Sequence, residues 1–313
     1  MRLLMLYYLI YPVAWCLGKL PYKVQFLFSD LIRWVLYSVV RYRREVVRTN
    51  LRDSFPEKSE KERAEIARRF YKHLADVFIE TLSLASVSEK QIRRRMKYLN
   101  MDDLMRWTGG RSWISAMAHY GSWEYTTNFD LYKTHDNALA VYRPLSNKGA
   151  DRFYRKIRSR FGVIPVPMHD VGREMVRRTR SGSHVTLALI ADQTPAWPEI
   201  QNWTMFLGRW TPFFTGTEKM AVKFRMPVVF LDVRKVRRGY YEAVFDLVYD
   251  GDEAVEEGEI TRRYAERLER MIRQRPELWM WSHRRWKHDI DNWLAHHPHA
   301  GRIADRIHDE QRK

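Results

Sequence analysis

The sequence predicts an α/β protein, with a mostly parallel central sheet flanked by helices and an N-terminal helical segment that associates with a membrane. From Gly109 and Gly110 onward, short apolar runs alternate with helical segments, which is the pattern of a parallel sheet covered on both faces. These runs are near-continuous in apolar residues, as expected of strands in a sheet that is covered on both faces. A stretch without any charge over residues 3–18 indicates the N-terminal segment.

Composition narrows the class of protein. The chain has 313 residues, 45% of them hydrophobic, so it can bury a substantial core and is not disordered. Its formal net charge of +17 attracts polyanions such as nucleic acid, anionic lipid or a phosphorylated substrate. Cys16 is the single cysteine, which excludes an intramolecular disulfide and a cysteine-based metal cluster. The 12 tryptophans and 17 tyrosines favour a protein at a membrane interface, where such rings lie at the level of the headgroups.

Two apolar stretches occupy the first forty residues. Residues 3–18 would form a helix about 24 Å long, which is shorter than the ~30 Å hydrocarbon core of a bilayer. Pro12 would also kink that helix. The second stretch covers residues 24–40. A basic cluster follows it, formed by Arg41, Arg43 and Arg44.

Three interpretations of this segment are open: a cleaved signal peptide, a helix buried in a soluble protein, and retained membrane association through a short span or an embedded helix. Because no small-residue cleavage site follows the first stretch, we expect retained association. The basic cluster would then lie on the cytoplasmic side, next to anionic headgroups. We therefore divide the chain into a membrane-anchoring helical segment, 1–40, and an α/β domain, 41–313.

Local signals predict the helices at either end of the α/β domain. Ser59 and Glu62 form a capping box, and apolar residues at helical spacing extend it into a long helix over about 60–85. Residues 88–106 are predicted to be helical or irregular, with a basic run on a solvated face. A last helix over about 259–275 ends before a proline.

The predicted strands are the apolar runs at 113–118, 138–142, 163–166, 185–191, 227–236 and 240–249. Helical segments are predicted between the earlier strands, near 123–133, 147–161, 170–181 and 216–225. The last two strands flank the turn sequence Arg237, Arg238 and Gly239, so they are predicted to form an antiparallel hairpin at one edge of the sheet.

Polar residues follow three of these strands directly: His119, Arg143, and the pair Asp192 and Gln193. Ligands of open α/β sheets bind beyond the carboxyl ends of the strands, so these residues predict a site at one edge. The planar guanidinium of Arg143 suits phosphate or a group near a thioester, the alternative being a structural salt bridge. Asp192 and Gln193 are expected to shape the substrate pocket, the alternative being a satisfied polar pair at a strand end.

His119 is the candidate general base. Glu124 lies five residues later, where a carboxylate could hold the imidazole in one tautomer and stabilise its charged form. The imidazole would take a proton from a substrate hydroxyl. Backbone N–H groups near Gly121, at the start of the following helix, could bind a developing oxyanion. This chemistry needs no protein nucleophile, metal or cofactor.

Several sequence blocks occur in an order typical of one family. The most specific runs from His119 to Glu124 and fits the motif HX4(D/E). The other blocks lie at residues 47–51, 55–57, 142–147, 158–162, 191–193, 216–229 and 276–287. In this ordered set the chain resembles the bacterial lipid A biosynthesis (lauroyl/myristoyl) acyltransferases of the lysophospholipid acyltransferase-like superfamily.

The resemblance implies a membrane-associated O-acyltransferase that moves a fatty acyl chain from acyl carrier protein, or from acyl-CoA, to a hydroxyl of a lipid acceptor. The commonest acceptor in the family is a lipid A precursor, which is an anionic lipid. The resemblance also implies a location at the cytoplasmic face of a bacterial inner membrane. His119 and Glu124 match the catalytic motif, and no cofactor or metal is implied.

Other functions remain open at this point. The acceptor could instead be a lysophospholipid or an aminolipid. The enzyme could be a hydrolase, in which His119 activates water on a lipid ester or thioester. The positive charge permits a nucleic-acid binder, but no nucleic-acid-binding module occurs and the apolar N-terminus favours a membrane, so no nucleic-acid partner is expected.

Overall fold

The computed structural model describes residues 2–132, 134–135 and 137–297, with side chains from residue 7 onward. The end of the predicted α/β domain, residues 298–313, therefore lies outside the described residues.

A seven-stranded sheet forms the centre of the protein, and a separate two-stranded hairpin lies beside it. The strands are β1 (Met96–Tyr98), β2 (Trp113–Met117), β3 (Asn137–Tyr142), β4 (Ile164–Pro167), β5 (Val185–Ile190), β6 (Trp203–Phe206), β7 (Arg209–Pro212), β8 (Val228–Arg237) and β9 (Tyr240–Tyr249). The order in the large sheet is β1-β9-β8-β2-β5-β3-β4. Five strands from β8 to β4 run parallel, while β9 and β1 run antiparallel to them at one edge.

The α-helices are α1 (Arg2–Lys19), α2 (Tyr22–Trp34), α3 (Arg44–Ser54), α4 (Glu60–Ser83), α5 (Glu89–Arg95), α6 (Met101–Thr108), α7 (Lys148–Arg158), α8 (Val171–Arg180), α9 (Gly216–Phe224), α10 (Glu259–Gln274) and α11 (Ile290–His296). Helices of the 3-10 type cover Trp123–Tyr132, Ser159–Phe161, Trp197–Glu199 and Pro276–Leu278, and a π-helical turn covers Val35–Val39.

The predicted α/β class, with a mostly parallel sheet flanked by helices, is confirmed. All six predicted strands are present, and the predicted capping box begins α4. All five residues of β2 are buried and the strand lies between β5 and β8, which explains why four of the five are apolar, with Ser115 the exception. This central strand carries the candidate base beyond its carboxyl end.

Two strand pairings escaped the prediction. Residues 88–106 include β1, which pairs with β9, so the predicted hairpin β8–β9 does not form the outer edge. The three residues of β1 are too few to show a periodic pattern, and β1 is recognised only by its pairing with β9.

The hairpin β6–β7 was also not predicted. It turns at Leu207 and Gly208, both with positive φ as a two-residue type I′ hairpin turn requires. Leu207 is an atypical turn residue, and its buried side chain compensates for that conformation.

The N-terminal segment is helical and packs on the α/β domain. Helices α1 and α2 both contact α4, and α1 also contacts α7. A Cβ atom at Gly18 would lie 2.4 Å from Ser86 Oγ, so α1 approaches the end of α4 too closely for any other residue. Within the described part of the chain, no helix combines the length and the apolar character that crossing a bilayer requires.

An ion-pair network ties α2 to the sheet. Arg238, in the β8–β9 turn, donates to Asp30 of α2 at 2.8 Å and to the buried Asp76 of α4 at 2.7 Å. Ser29 of α2 donates to the same Asp76 at 2.7 Å, and Lys235 lies 3.3 Å from its other oxygen. Helix α2 is therefore joined to the α/β domain by charged groups, and the division of the chain at residue 40 stays a prediction.

Candidate active site

The sheet register brings His119 and Asp192 together. Strands β2 and β5 are parallel neighbours, and Met117 at the end of one is the register partner of Ile190 at the end of the other. His119 and Asp192 each follow two residues later, so they leave the sheet at the same level. The predicted convergence of polar residues at this edge is present for this pair.

Three hydrogen bonds hold the Asp192 carboxylate. Nδ1 of His119 lies 2.7 Å from Oδ1, and the backbone N–H of His119 donates to Oδ2 at 3.0 Å. The indole N–H of Trp279 donates to the same Oδ2 at 2.8 Å. Because an ionised carboxylate only accepts, Nδ1 carries the proton, and Nε2 has the lone pair that a base needs.

The imidazole is partly exposed, and Gln193 and Trp123 lie beside it. The His119 side chain is 22% exposed, while that of Asp192 is 2% exposed. The side-chain nitrogen of Gln193 lies 3.4 Å from Nε2, so an incoming hydroxyl would meet this amide as well as the base. The ring of Trp123 packs edge-on against the imidazole at 5.2 Å between ring centres.

The surroundings keep Asp192 ionised. Burial raises its pKa, but the His119 side chain and the hydrogen bonds from His119 and Trp279 outweigh that effect and leave the pKa below its ordinary value. Nearby, burial together with the charge of Arg285 lowers the pKa of His283 to about 4. His283 is therefore neutral at physiological pH, and its Nε2 accepts from the backbone N–H of Thr194 at 3.1 Å.

Glu124 does not contact the base, and the predicted pairing of Glu124 with His119 is wrong. Its buried carboxylate pairs with Arg158, the last residue of α7, through a 2.9 Å bond from Nε to Oε2 and a second contact from Nη2 to Oε1. A helix begins inside the motif, at Trp123, whose ring faces the imidazole, while the next side chain, Glu124, is directed toward α7. A catalytic role for Glu124 stays a prediction.

The Gly121 amide is also engaged elsewhere. Its N–H donates to the carbonyl of Leu278 at 3.0 Å, so the expectation that this N–H binds an oxyanion is corrected. Gly121 has φ of +59°, and a Cβ atom there would lie 2.8 Å from Val233 Cγ1. The glycine is required by the tight turn.

The remaining predicted site residues lie around this edge. Arg143 is exposed directly after β3, and its binding of an anion stays a prediction, as does substrate binding by Gln193. Sequence reasoning gave no separate role to Trp279 or Arg158. Among the described residues, no group of three or more His, Cys, Asp or Glu side chains could hold a metal ion.

Comparison with known proteins identifies the family. The family model described as bacterial lipid A biosynthesis acyltransferase matches residues 1–288. The chain belongs to this family. The resemblance of the sequence blocks is thereby confirmed, and membership supports a lipid acyltransferase that uses an acyl donor and a lipid acceptor. A search of curated proteins found no match.

Proposed function

We propose that this member of the family is an O-acyltransferase that moves a fatty acyl chain from acyl carrier protein, or from acyl-CoA, to a hydroxyl of a lipid A precursor. The reaction would take place at the cytoplasmic face of a bacterial inner membrane. The observation that carries the proposal is the pair of His119 and Asp192, in which a buried carboxylate orients a partly exposed imidazole. The site needs no nucleophile of its own, because the acceptor supplies the hydroxyl.

The chemical step follows from this arrangement. Nε2 of His119 takes the proton of the acceptor hydroxyl as its oxygen attacks the thioester carbonyl carbon. The tetrahedral intermediate collapses, the carbon–sulfur bond breaks, and the imidazolium returns the proton to the leaving thiolate. Asp192 stabilises the imidazolium between the two proton transfers. Acylated lipid and free thiol are the products, and no covalent enzyme intermediate forms.

A small apolar cavity lies along β2, the strand that leads to the base. It has a volume of about 40 Å³ and lies between the sheet and the helix Trp123–Tyr132, with Met117 in its wall. Ala140 and Ala188, register partners on neighbouring strands, leave this space open. The volume accommodates only a few water-sized groups, so it would receive the end of an acyl chain. Filling it by Ala140→Val should shorten the preferred acyl chain, as read from product masses.

The N-terminal helices present an apolar face that suits a lipid surface. The side chains of Leu9 and Val13 form a stripe on α1, and those of Leu27, Leu31 and Trp34 form one on α2, all more than half exposed to solvent. Exposed apolar stripes of this kind are typical of a surface that binds lipid or protein. Exposed basic residues occur near them in the sequence, at Lys19, Lys23 and Arg41. We infer that this face lies embedded in one leaflet of an anionic membrane.

The experiment that tests the function is an acyl-transfer assay with purified protein and vesicles. Each vesicle preparation contains one acceptor, namely a lipid A precursor, a lysophospholipid or an aminolipid, and each is tested with acyl carrier protein and with CoA thioesters. Mass spectrometry identifies the products, and His119→Ala is the control. We expect an acylated lipid A precursor. Free fatty acid without an acylated lipid would show a hydrolase, and acylation of another acceptor would replace the proposed one.

A further inference from the structure

Trp279 completes the shell of donors around the Asp192 carboxylate. Oδ1 receives the imidazole N–H of His119, and Oδ2 receives the backbone N–H of the same residue. The third donor, the indole N–H of Trp279 at 2.8 Å, comes from the segment after α10, far along the chain. The other two donors both come from His119, the residue that Asp192 orients. Trp279 is therefore the donor that can fix the position of the carboxylate independently of His119.

The indole is held in place on all sides. Its ring packs edge-on against Trp281, with 4.8 Å between ring centres, and also contacts Phe206 at 5.8 Å and Trp286 at 6.0 Å. The backbone of Trp279 bridges to Tyr120, directly beside the candidate base. A side chain with this little freedom can fix the direction of a hydrogen bond.

We propose that Trp279 is a positioning residue of the acyl transfer, whose indole N–H fixes the Asp192 carboxylate and, through it, the orientation of the His119 imidazole. This inference rests on the proposed function. Trp279 acts through Asp192 and does not touch the reacting atoms.

The charged and titratable groups around Asp192 determine how the pH dependence responds. Besides His119, they are His283 and Arg285 of the C-terminal segment and Tyr264 of α10. Replacing the indole by a phenyl ring leaves all of them in place and removes one donor from the carboxylate. The carboxylate then attracts the imidazole proton more strongly, which should shift the pH dependence of the reaction toward higher pH.

The test compares Trp279→Phe with Trp281→Phe. The control indole belongs to the same aromatic cluster, but its N–H donates to the Pro276 carbonyl and not to Asp192. We expect Trp279→Phe to lower kcat about tenfold, because a bond to a charged group is lost, and to leave KM within about twofold. The acid limb of its kcat/KM profile should move up by about half a pH unit. Trp281→Phe should change none of these values appreciably.

Two further measurements separate positioning from packing. In the Asp192→Asn background, Trp279→Phe should have little additional effect on kcat, since the group through which it acts is already altered. If Trp279→Phe does not fold, β-(3-benzothienyl)alanine at position 279 keeps the shape of the indole and removes its N–H. Equal losses for both tryptophan variants with unchanged pH profiles, or additive losses with Asp192→Asn, would overturn the proposal.

A spectroscopic readout keeps the inference separate from the proposed function. The Nδ1–H proton of His119, in protein labelled with ¹⁵N-histidine, should resonate far downfield because of its bond to Asp192. That resonance should move in Trp279→Phe and stay in Trp281→Phe, whatever reaction the enzyme catalyses. An unchanged resonance in both variants contradicts the positioning role, whereas a wild type that transfers no acyl chain contradicts the proposed function alone.

Discussion

The Nδ1 atom of His119 lies 2.7 Å from Oδ1 of Asp192, although 73 residues separate them in the chain. The parallel pairing of two adjacent strands accounts for this proximity. The acid that orients the candidate base therefore comes from the neighbouring strand and not from the HX4E motif that contains the base.

Asp192→Asn should abolish most of the activity while the protein stays folded. An asparagine can hold the imidazole in the wrong tautomer and cannot stabilise its positive charge, so we expect kcat to fall by about 10²- to 10⁴-fold. Initial rates of acyl transfer measure the effect, with Asp246→Asn on the protein surface as the control. A rate within twofold of wild type would remove Asp192 from the mechanism.

Glu124→Gln should lower the free energy of unfolding more than it lowers kcat. It leaves the largely buried Arg158 without its charged partner, which is expected to cost about 3 kcal/mol in the free energy of unfolding. Adding Arg158→Met should recover part of that loss, as denaturant titrations would show. Glu65→Gln, in an exposed ion pair, should change stability little. A large loss of kcat at full stability would instead place Glu124 in the reaction.

The contribution of Glu80 to the stability of the protein should fall with rising pH. This glutamate lies buried in α4, where burial raises its pKa from 4.5 to about 7, and Tyr241 donates to both of its oxygens at 3.2 and 3.0 Å. Between these two pH values the unfolded chain has lost the proton that the folded protein still holds. The part of the free energy of unfolding that is due to Glu80 therefore falls as pH rises through this window, and it is constant above it.

Glu80→Gln removes this titration and keeps an acceptor for Tyr241. Its free energy of unfolding relative to wild type should increase from about pH 4.5 to about pH 7, by on the order of 3 kcal/mol, and then level off. Exposed Glu257→Gln is the control. A difference that is independent of pH would show that Glu80 is ionised in the folded protein.

Replacing the exposed leucines of α2 should weaken membrane binding. Leu27→Gln combined with Leu31→Gln removes two apolar side chains from the face proposed to enter the lipid, so co-sedimentation with phosphatidylglycerol vesicles should weaken at least about tenfold. Val222→Gln changes an exposed apolar residue of α9 and should have no effect. Equal binding by all variants would assign the membrane contact to another surface.

Deletion of residues 1–40 would be a poor test of the same idea. It would remove Ser29 and Asp30, which help to satisfy the buried Asp76 and Arg238, and so would destabilise the α/β domain. Loss of membrane binding and loss of the fold would then be indistinguishable.

The sequence predicted the sheet well because its strands are long and apolar, and it predicted the edge where His119 and Asp192 meet. It misassigned the partner of His119 because Glu124 is near in the chain, whereas Asp192 is near through the register of two strands. His119 and Asp192 each lie two residues beyond the end of a strand, and this shared position was a signal in the sequence that they could meet. The contact of Trp279 with Asp192 had no such signal, since it depends on the path of the segment after α10.

The bonds from Arg238 to Asp30 and Asp76 join the apolar face to the sheet that carries His119. A protein that rests on a leaflet through this face would hold its imidazole at one constant height over the headgroups. Only hydroxyls at the matching depth would come within reach, so the position of a hydroxyl along the bilayer normal would itself discriminate among acceptors.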